Sequence, residues 1–204
     1  MIEDLKLKIV EQFYTLQGEG GRAGQASYFI RLATCNKNCW FCDTEFNIYK
    51  QLRLGDILEK IQSTPARWIT WTGGEPTLQL TEEIIAFFKS KGFLQSIETN
   101  GTNPVPAGID YIVCSPKVPL PVLKKSFPNG VQEFRFPVDI KQKSLIPIDQ
   151  LPPADHYFVS PLFLGDEKKR FDLDPQNLQH CIDLVMKNPA WKLSIQQHKI
   201  WRLR

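Results

Sequence analysis

Histidine is scarce in this sequence: only His156, His180 and His198 occur, so residues 1–155 contain none. A compact zinc site built from neighbouring cysteines and histidines is therefore excluded from that stretch. Long apolar runs are also missing. No segment approaches the roughly 18 consecutive apolar residues of a membrane-spanning helix. The opening Met1-Ile2-Glu3-Asp4-Leu5 is acidic and lacks the basic and apolar regions of a secretion signal, so the cytoplasm is the expected location. Charge of one sign is lacking too: 25 Lys and Arg against 22 Asp and Glu leave a net +3. That gives no case for wrapping nucleic acid, and no membrane partner is expected. Neither repeats nor low-complexity linkers occur. A chain of 204 residues can build one full core, so a single domain over 1–204 is expected.

Against this background the five cysteines stand out. In a reducing compartment they favour metal binding over disulfides. Cys35, Cys39 and Cys42 lie within eight residues, in the spacing C-x3-C-x2-C. Thiolates suit iron–sulfur clusters and zinc, and a closed site of either kind needs four ligands. Three cysteines close together point to a metal with one open position. A zinc knuckle would need a distant fourth ligand such as His156 or Cys114. Cys114 and Cys181 sit among apolar residues and read as small core side chains.

The rest of the chain alternates strand-like and helix-like segments. Ser27–Leu32 reads as the first strand, preceded by the loop Leu16-Gln17-Gly18-Glu19-Gly20. Apolar residues at 54, 57, 58 and 61 predict a helix over 54–63. Trp68–Trp71 is a strand ending at Gly73-Gly74. Thr81 caps the next helix, which Gly92 stops. Strands follow at about 94–98, 109–114, 131–136 and 156–160, with a helix from Asp174-Pro175 to Lys187 and a final strand over Trp191–Gln196. Eight of the 15 prolines fall in 116–130 and 137–154. Long helices are unfavourable there, so loops should replace some crossovers. The expected architecture is α/β, a partial parallel β/α barrel, with polar motifs gathered at strand ends. Those motifs are the cysteine loop, Thr72-Gly73-Gly74-Glu75-Pro76, Glu98-Thr99-Asn100-Gly101, Ser115-Pro116-Lys117 and Gln196-Gln197-His198-Lys199. The terminal basic residues Lys192, His198, Lys199, Arg202 and Arg204 suit either an anionic substrate or a solvated tail.

The cysteine spacing followed by Gly73-Gly74-Glu75-Pro76 resembles the radical S-adenosylmethionine (SAM) superfamily. That resemblance implies a partial (β/α)6-type barrel, a 4Fe–4S cluster on Cys35, Cys39 and Cys42, and SAM on the fourth iron. Adding Leu16-Gln17-Gly18-Glu19-Gly20, Phe29-Ile30-Arg31-Leu32, Cys42-Asp43-Thr44 and the strand-end motifs, the whole chain is similar to the 7-carboxy-7-deazaguanine synthase (QueE) family. The resemblance implies a lyase that contracts 6-carboxy-5,6,7,8-tetrahydropterin in queuosine and 7-deazapurine biosynthesis. It further implies SAM contacts from Phe41, Cys42, Asp43, Gly74, Ser115, Pro116 and Lys117. Leu16, Gln17, Gly18, Arg31, Thr72 and Glu98 match substrate-contacting positions, and Thr44 matches a Mg2+ ligand. Arg31 can pair a carboxylate through two parallel hydrogen bonds, and Glu98 can accept from the pterin's guanidine-like edge. A flavodoxin-like electron donor and a homodimer are also implied, with Trp191 and Trp201 serving either an interface or the core. Family members often end in a proline whose carboxylate reaches the substrate. Here the last residues are Ile200-Trp201-Arg202-Leu203-Arg204, so Arg204 is left outside the site, while Gln197 and His198 are candidate lining residues. Competing readings are a glycyl-radical-enzyme activase, which shares the first two motifs, and a non-enzymatic zinc or iron–sulfur binding module.

Overall fold

Alternation of apolar and polar residues along the strands builds the sheet. The computed structural model describes residues 1–42, 48–162 and 173–203. Among these residues nine strands form one sheet: β1 (Lys6–Leu16), β2 (Ala26–Leu32), β3 (Lys50–Arg53), β4 (Trp68–Gly73), β5 (Leu94–Thr99), β6 (Tyr111–Cys114), β7 (Val131–Val138), β8 (Ala154–Pro161) and β9 (Lys192–Leu193). Their order is β3-β1-β2-β4-β5-β6-β7-β8-β9. From β2 to β9 all neighbours run parallel, whereas β1 pairs antiparallel with β2 and β3. This is the expected partial parallel barrel, extended at one edge by an antiparallel ribbon.

Among the described residues, five α-helices accompany it: α1 (Leu54–Gln62), α2 (Glu82–Ser90), α3 (Leu120–Ser126), α4 (Pro175–Lys187) and α5 (Gln197–Ile200). The Thr81 hydroxyl accepts from Ile84 N at the start of α2, and Asp174 accepts from Gln176 N and Asn177 N at the start of α4. The proline-rich stretches hold only the seven-residue α3 and a single 3-10 turn at Ile148–Gln150. The β5–β6 crossover is also a loop.

Two expectations are corrected. Ser27–Leu32 belongs to the second strand, because Lys6-Leu7-Lys8-Ile9 already alternates and opens a strand that pairs with β3 at this end and with β2 over Glu11–Leu16. The final strand stops at Leu193 instead of reaching Gln196. Beyond it the Ser194 hydroxyl accepts from Gly20 N, and Gln197 N donates to Gly18 O at 2.9 Å. The chain thus leaves the sheet to close over the β1–β2 loop.

Strand register sorts the side chains. Ile30, Trp71 and Ile97 lie side by side on the helix-covered face, in an apolar cluster with Ile57, Ile85 and Phe88 from α1 and α2. A second cluster joins Phe134 and Val159 to Leu123 and Leu184, and takes in Cys114, Cys181 and Trp191. Trp191 is therefore core, as are both lone cysteines. Each such large side chain, fully withdrawn from water, contributes on the order of 2–3 kcal/mol.

The opposite face is unusually polar. Phe29, Thr70, Ser96 and Tyr111 fall in one row across β2, β4, β5 and β6. Ser27 and Thr70 hydroxyls meet at 2.7 Å, and Thr70 and Ser96 at 3.0 Å. The β1–β2 loop plugs this end of the barrel: Arg22 donates to Ser96 Oγ at 2.7 Å and stacks 3.6 Å over the Trp68 ring. Desolvation lowers Arg22 to about 10, against the fields of Tyr111, Glu98 and Glu133. It is still charged at neutral pH.

Candidate active site

Above the plug, where the parallel strands end, the barrel opens into a cavity of about 320 Å3. That lies at the low end of small-molecule sites, which run from roughly 300 Å3 upward. Its wall brings together most of the residues singled out by sequence. Cys35, Cys39 and Cys42 line one side, beside Phe41. Gly74, Ser115 and Lys117 come from the ends of β4 and β6. Leu16, Gln17, Gly18, Arg31, Thr72 and Glu98 line it as well. Pro116 belongs to the same turn as Ser115 and Lys117 but does not line the cavity. Asp43 and Thr44 lie outside the described residues, as does Arg204.

The cysteine loop starts directly from β2. Lys37 N donates to Cys35 Sγ at 3.4 Å, and Asn100 Nδ2 approaches the same sulfur at 4.0 Å. N–H donors aimed at sulfur stabilise thiolate character, which suits a cluster ligand. Among the described residues, no three His, Cys, Asp or Glu side chains converge on one point as a single ion requires. Cys35, Cys39 and Cys42 line one cavity, and three thiolates are a donor set that fits a 4Fe–4S cluster.

The turn after β4 is built against this loop. Gly74 N donates to Leu32 O and Glu75 N to Thr34 O, both at 2.8 Å. A Cβ on Gly74 would collide with the Thr34 carbonyl, and Gly73 has φ +111°, a region that favours glycine. The two glycines are thus needed for contact with the cysteine loop. Lys117 Nζ donates to Ser115 Oγ at 2.9 Å and lies 5.0 Å from the centre of the Phe41 ring. Desolvation lowers its pKa, while the neighbouring Cys39, Cys114 and Cys42 raise it.

On the floor, Glu98 accepts from Gln17 Nε2 at Oε1 and from the Thr72 hydroxyl at Oε2, each at 3.0 Å. Burial pushes this carboxyl up. The Arg135 charge, the two hydrogen bonds and the more distant Arg31 outweigh that and hold it below the usual range. Gln17 and Thr72 therefore orient Glu98 as well as facing the cavity. Arg31 donates from Nε to Glu11 Oε1 at 2.9 Å.

Two lining residues, Arg135 and Ser160, were missed by sequence reading; both contact Glu19 of the Leu16–Gly20 loop, and Gln196 and Lys199 of the last motif line the cavity with His198. Gln197 does not line the cavity; its amide is engaged by Gly18. A Cβ on Gly18 would strike the His198 ring, so that glycine permits the close approach of α5. Of the terminal basic residues, His198 and Lys199 thus face the cavity, while Arg202 is exposed.

Comparison with known proteins gives concordant results. Residues 30–131 match the Radical SAM superfamily. The 7-carboxy-7-deazaguanine synthase of Bacteroides thetaiotaomicron is 34% identical over 97% of this chain and 98% of its own length. Its counterpart from Haemophilus influenzae is 38% identical over 94% of this chain and 92% of its own. Among solved structures, QueE from Escherichia coli shares the fold with a TM-score of 0.72 at 24% identity, covering 95% of both chains.

Proposed function

The chain belongs to the 7-carboxy-7-deazaguanine synthase family within the radical SAM superfamily, and on that premise we propose how its cavity divides the work. The reaction contracts 6-carboxy-5,6,7,8-tetrahydropterin to 7-carboxy-7-deazaguanine with loss of ammonia, on the route to queuosine and other 7-deazapurines. Relatives of nearly full length are synthases, which sets aside the activase and the binding-module readings.

Cys35, Cys39 and Cys42 would hold the 4Fe–4S cluster, with SAM bound beside it. When bound, this pair supplies a carbon radical able to take a hydrogen atom from C6 of the pterin. The protein's own task is orientation and exclusion of water. The turn carrying Gly74, together with Phe41, Asp43, Ser115, Pro116 and Lys117, holds SAM against the cysteine loop. Arg31 pairs the pterin carboxylate, and Glu98 accepts the N–H groups of its amino-pyrimidine edge. These two side chains, in one row with Thr72 across β2, β4 and β5, hold the carboxylate and the amino-pyrimidine edge of the substrate, which aims C6 toward the cysteine side. Leu16 and Gly18 complete the wall, with Gln17 and Thr72 acting largely through Glu98.

The observation that supports this reading most is the sharing of one cavity by three cysteines, Arg31 and Glu98. A Mg2+ ion at Thr44 completes the proposal. A neutral hydroxyl is a weak magnesium ligand, so the ion binds mainly with substrate oxygens. The remaining elements are a flavodoxin-like electron donor, a homodimer and a cytoplasmic setting; among the described residues no helix is long and apolar enough to cross a membrane. The test is anaerobic turnover of the cluster-loaded protein with SAM and the carboxytetrahydropterin. Carboxydeazaguanine should form, and faster with Mg2+ than without. SAM cleavage without that product would reject the substrate, and equal rates with and without divalent ions would remove the role of Thr44.

A further inference from the structure

Behind Glu98 lies a guanidinium shared by three carboxylates. Arg135 on β7 is only 6% exposed. Its Nε and Nη2 donate to Glu133 Oε1 at 2.9 and 2.7 Å, and Nη1 donates to Glu19 Oε2 at 2.9 Å. The same Nη1 stands 3.7 Å from Glu98 Oε1. Glu133 also accepts from Gly21 N and the Tyr111 hydroxyl, and Glu19 accepts from the Ser160 hydroxyl. Glu133 and Glu19 are thus satisfied within the protein. Glu98 alone combines a looser contact with Arg135 and a side chain still 25% exposed.

We propose that Arg135 is a positioning residue for ligand recognition: standing behind Glu98, it keeps that carboxylate charged and turned toward the cavity, ready to accept N–H groups from the pterin edge. The inference deepens the reading of Glu98 as a substrate contact and rests on it. The charged and titratable groups around Glu98 are Arg31 on β2, Arg22 and Glu19 on the β1–β2 loop, Tyr111 on β6, Glu133 and Arg135 on β7, and His198 and Lys199 on α5. Among these, Arg135 is buried and stands within 4 Å of the Glu98 carboxylate as an ion pair. A buried carboxylate that loses its counter-charge takes up a proton, and a protonated Glu98 would present a donor where an acceptor is needed.

The sign follows directly. Acceptor strength is present above the pH at which Glu98 protonates and is lost as pH falls through it. Full-length protein labelled with 13C at glutamate carboxyls, assigned with Glu98→Gln, measures that point by NMR. In the unaltered protein Glu98 should titrate below the ordinary glutamate value of about 4.3. In Arg135→Gln it should titrate at least about one unit higher, with Arg135→Lys in between. Binding of 6-carboxypterin is the second readout. As pH falls from roughly 7 to 5, affinity should fall about two- to threefold more in Arg135→Gln than in the unaltered protein, an extra slope set by Glu98. Adding Glu98→Gln to Arg135→Gln should abolish that extra slope, since all other groups are common to both variants.

A Glu98 carboxyl that titrates at or above the ordinary value in the unaltered protein overturns the inference, even if Arg135→Gln does not fold. So does a loss of affinity in Arg135→Gln that is uniform across pH, which would make Arg135 only a bolt between the loop and β7. The carboxyl titration judges Arg135 whatever the cavity binds. Failure of unaltered protein to bind the pterin would instead reject the reading of Glu98 as a substrate contact.

Discussion

The Glu75 carboxylate accepts the main-chain N–H of Asn100 at 2.7 Å, tying the turn after β4 to the end of β5. Its other oxygen accepts from Thr77 N, the Thr77 hydroxyl and the Thr99 hydroxyl. Glu75 is fully buried. The glutamate of the Gly-Gly-Glu-Pro motif is therefore a clamp that holds two strand ends at the cavity.

Replacing Glu75 by alanine strands those donors and should cost about 3 kcal/mol of stability, read by chemical denaturation. Glutamine keeps one acceptor oxygen but turns an NH2 toward other donors, so roughly 1–2 kcal/mol is expected. SAM affinity should fall in both variants, because the turn that presents Gly74 loosens. Unchanged stability in Glu75→Ala would contradict the clamp.

Gly74→Ala tests the contact between turn and cysteine loop. The new methyl meets the Thr34 carbonyl. Because backbone cannot yield as a flexible side chain would, the turn and loop must separate. SAM binding by calorimetry should weaken at least about tenfold with a loss of stability of a few kcal/mol. Full SAM affinity in this variant would show that the close approach is dispensable.

Arg31 should discriminate ligands by their carboxylate. Arg31→Lys replaces a planar fork by a point charge, so affinity for 6-carboxypterin should drop about tenfold. Affinity for pterin without the carboxyl group should change little. Equal losses for both ligands would move the carboxylate elsewhere in the cavity, with Lys199 or His198 as its partner.

The cysteines should separate into two classes. Burial pushes the Cys181 thiol up to about 11 and raises Cys114 further. Both should resist alkylation of the folded, cluster-free protein near neutral pH, while Cys35, Cys39 and Cys42 react. Serine at any of those three should prevent assembly of the cluster, seen in its visible absorbance, whereas Cys181→Ser should retain it. Ready alkylation of Cys181 in the folded protein would contradict its place in the core.

Much of this architecture could be read from residue order. The parallel strands follow from apolar alternation, and the cysteine and Gly-Gly-Glu-Pro motifs fall at strand ends as barrel geometry requires. Glu133 and Arg135 could not be recognised in the same way. In Val131-Gln132-Glu133-Phe134-Arg135-Phe136 their shared face looks like the solvent side of a half-buried strand. Curvature of the sheet makes it the barrel interior, and one of the partners that neutralise it, Glu19, lies 116 positions away in sequence. The β1–β3 ribbon was hidden for a related reason: four-residue β3 is a strand only because β1 lies beside it. Likewise Leu193 ends the last strand because Gly18 and Gly20 capture the chain that follows.

The central claim is that the cysteine side of the cavity delivers a radical to C6 of a pterin held by Arg31 and Glu98. It is tested most directly by following deuterium from 6-carboxy-5,6,7,8-tetrahydropterin labelled at C6 through one anaerobic turnover. Deuterium in 5′-deoxyadenosine, accompanied by unlabelled 7-carboxy-7-deazaguanine at that atom, is the predicted result. Product formation with no deuterium in 5′-deoxyadenosine would contradict it.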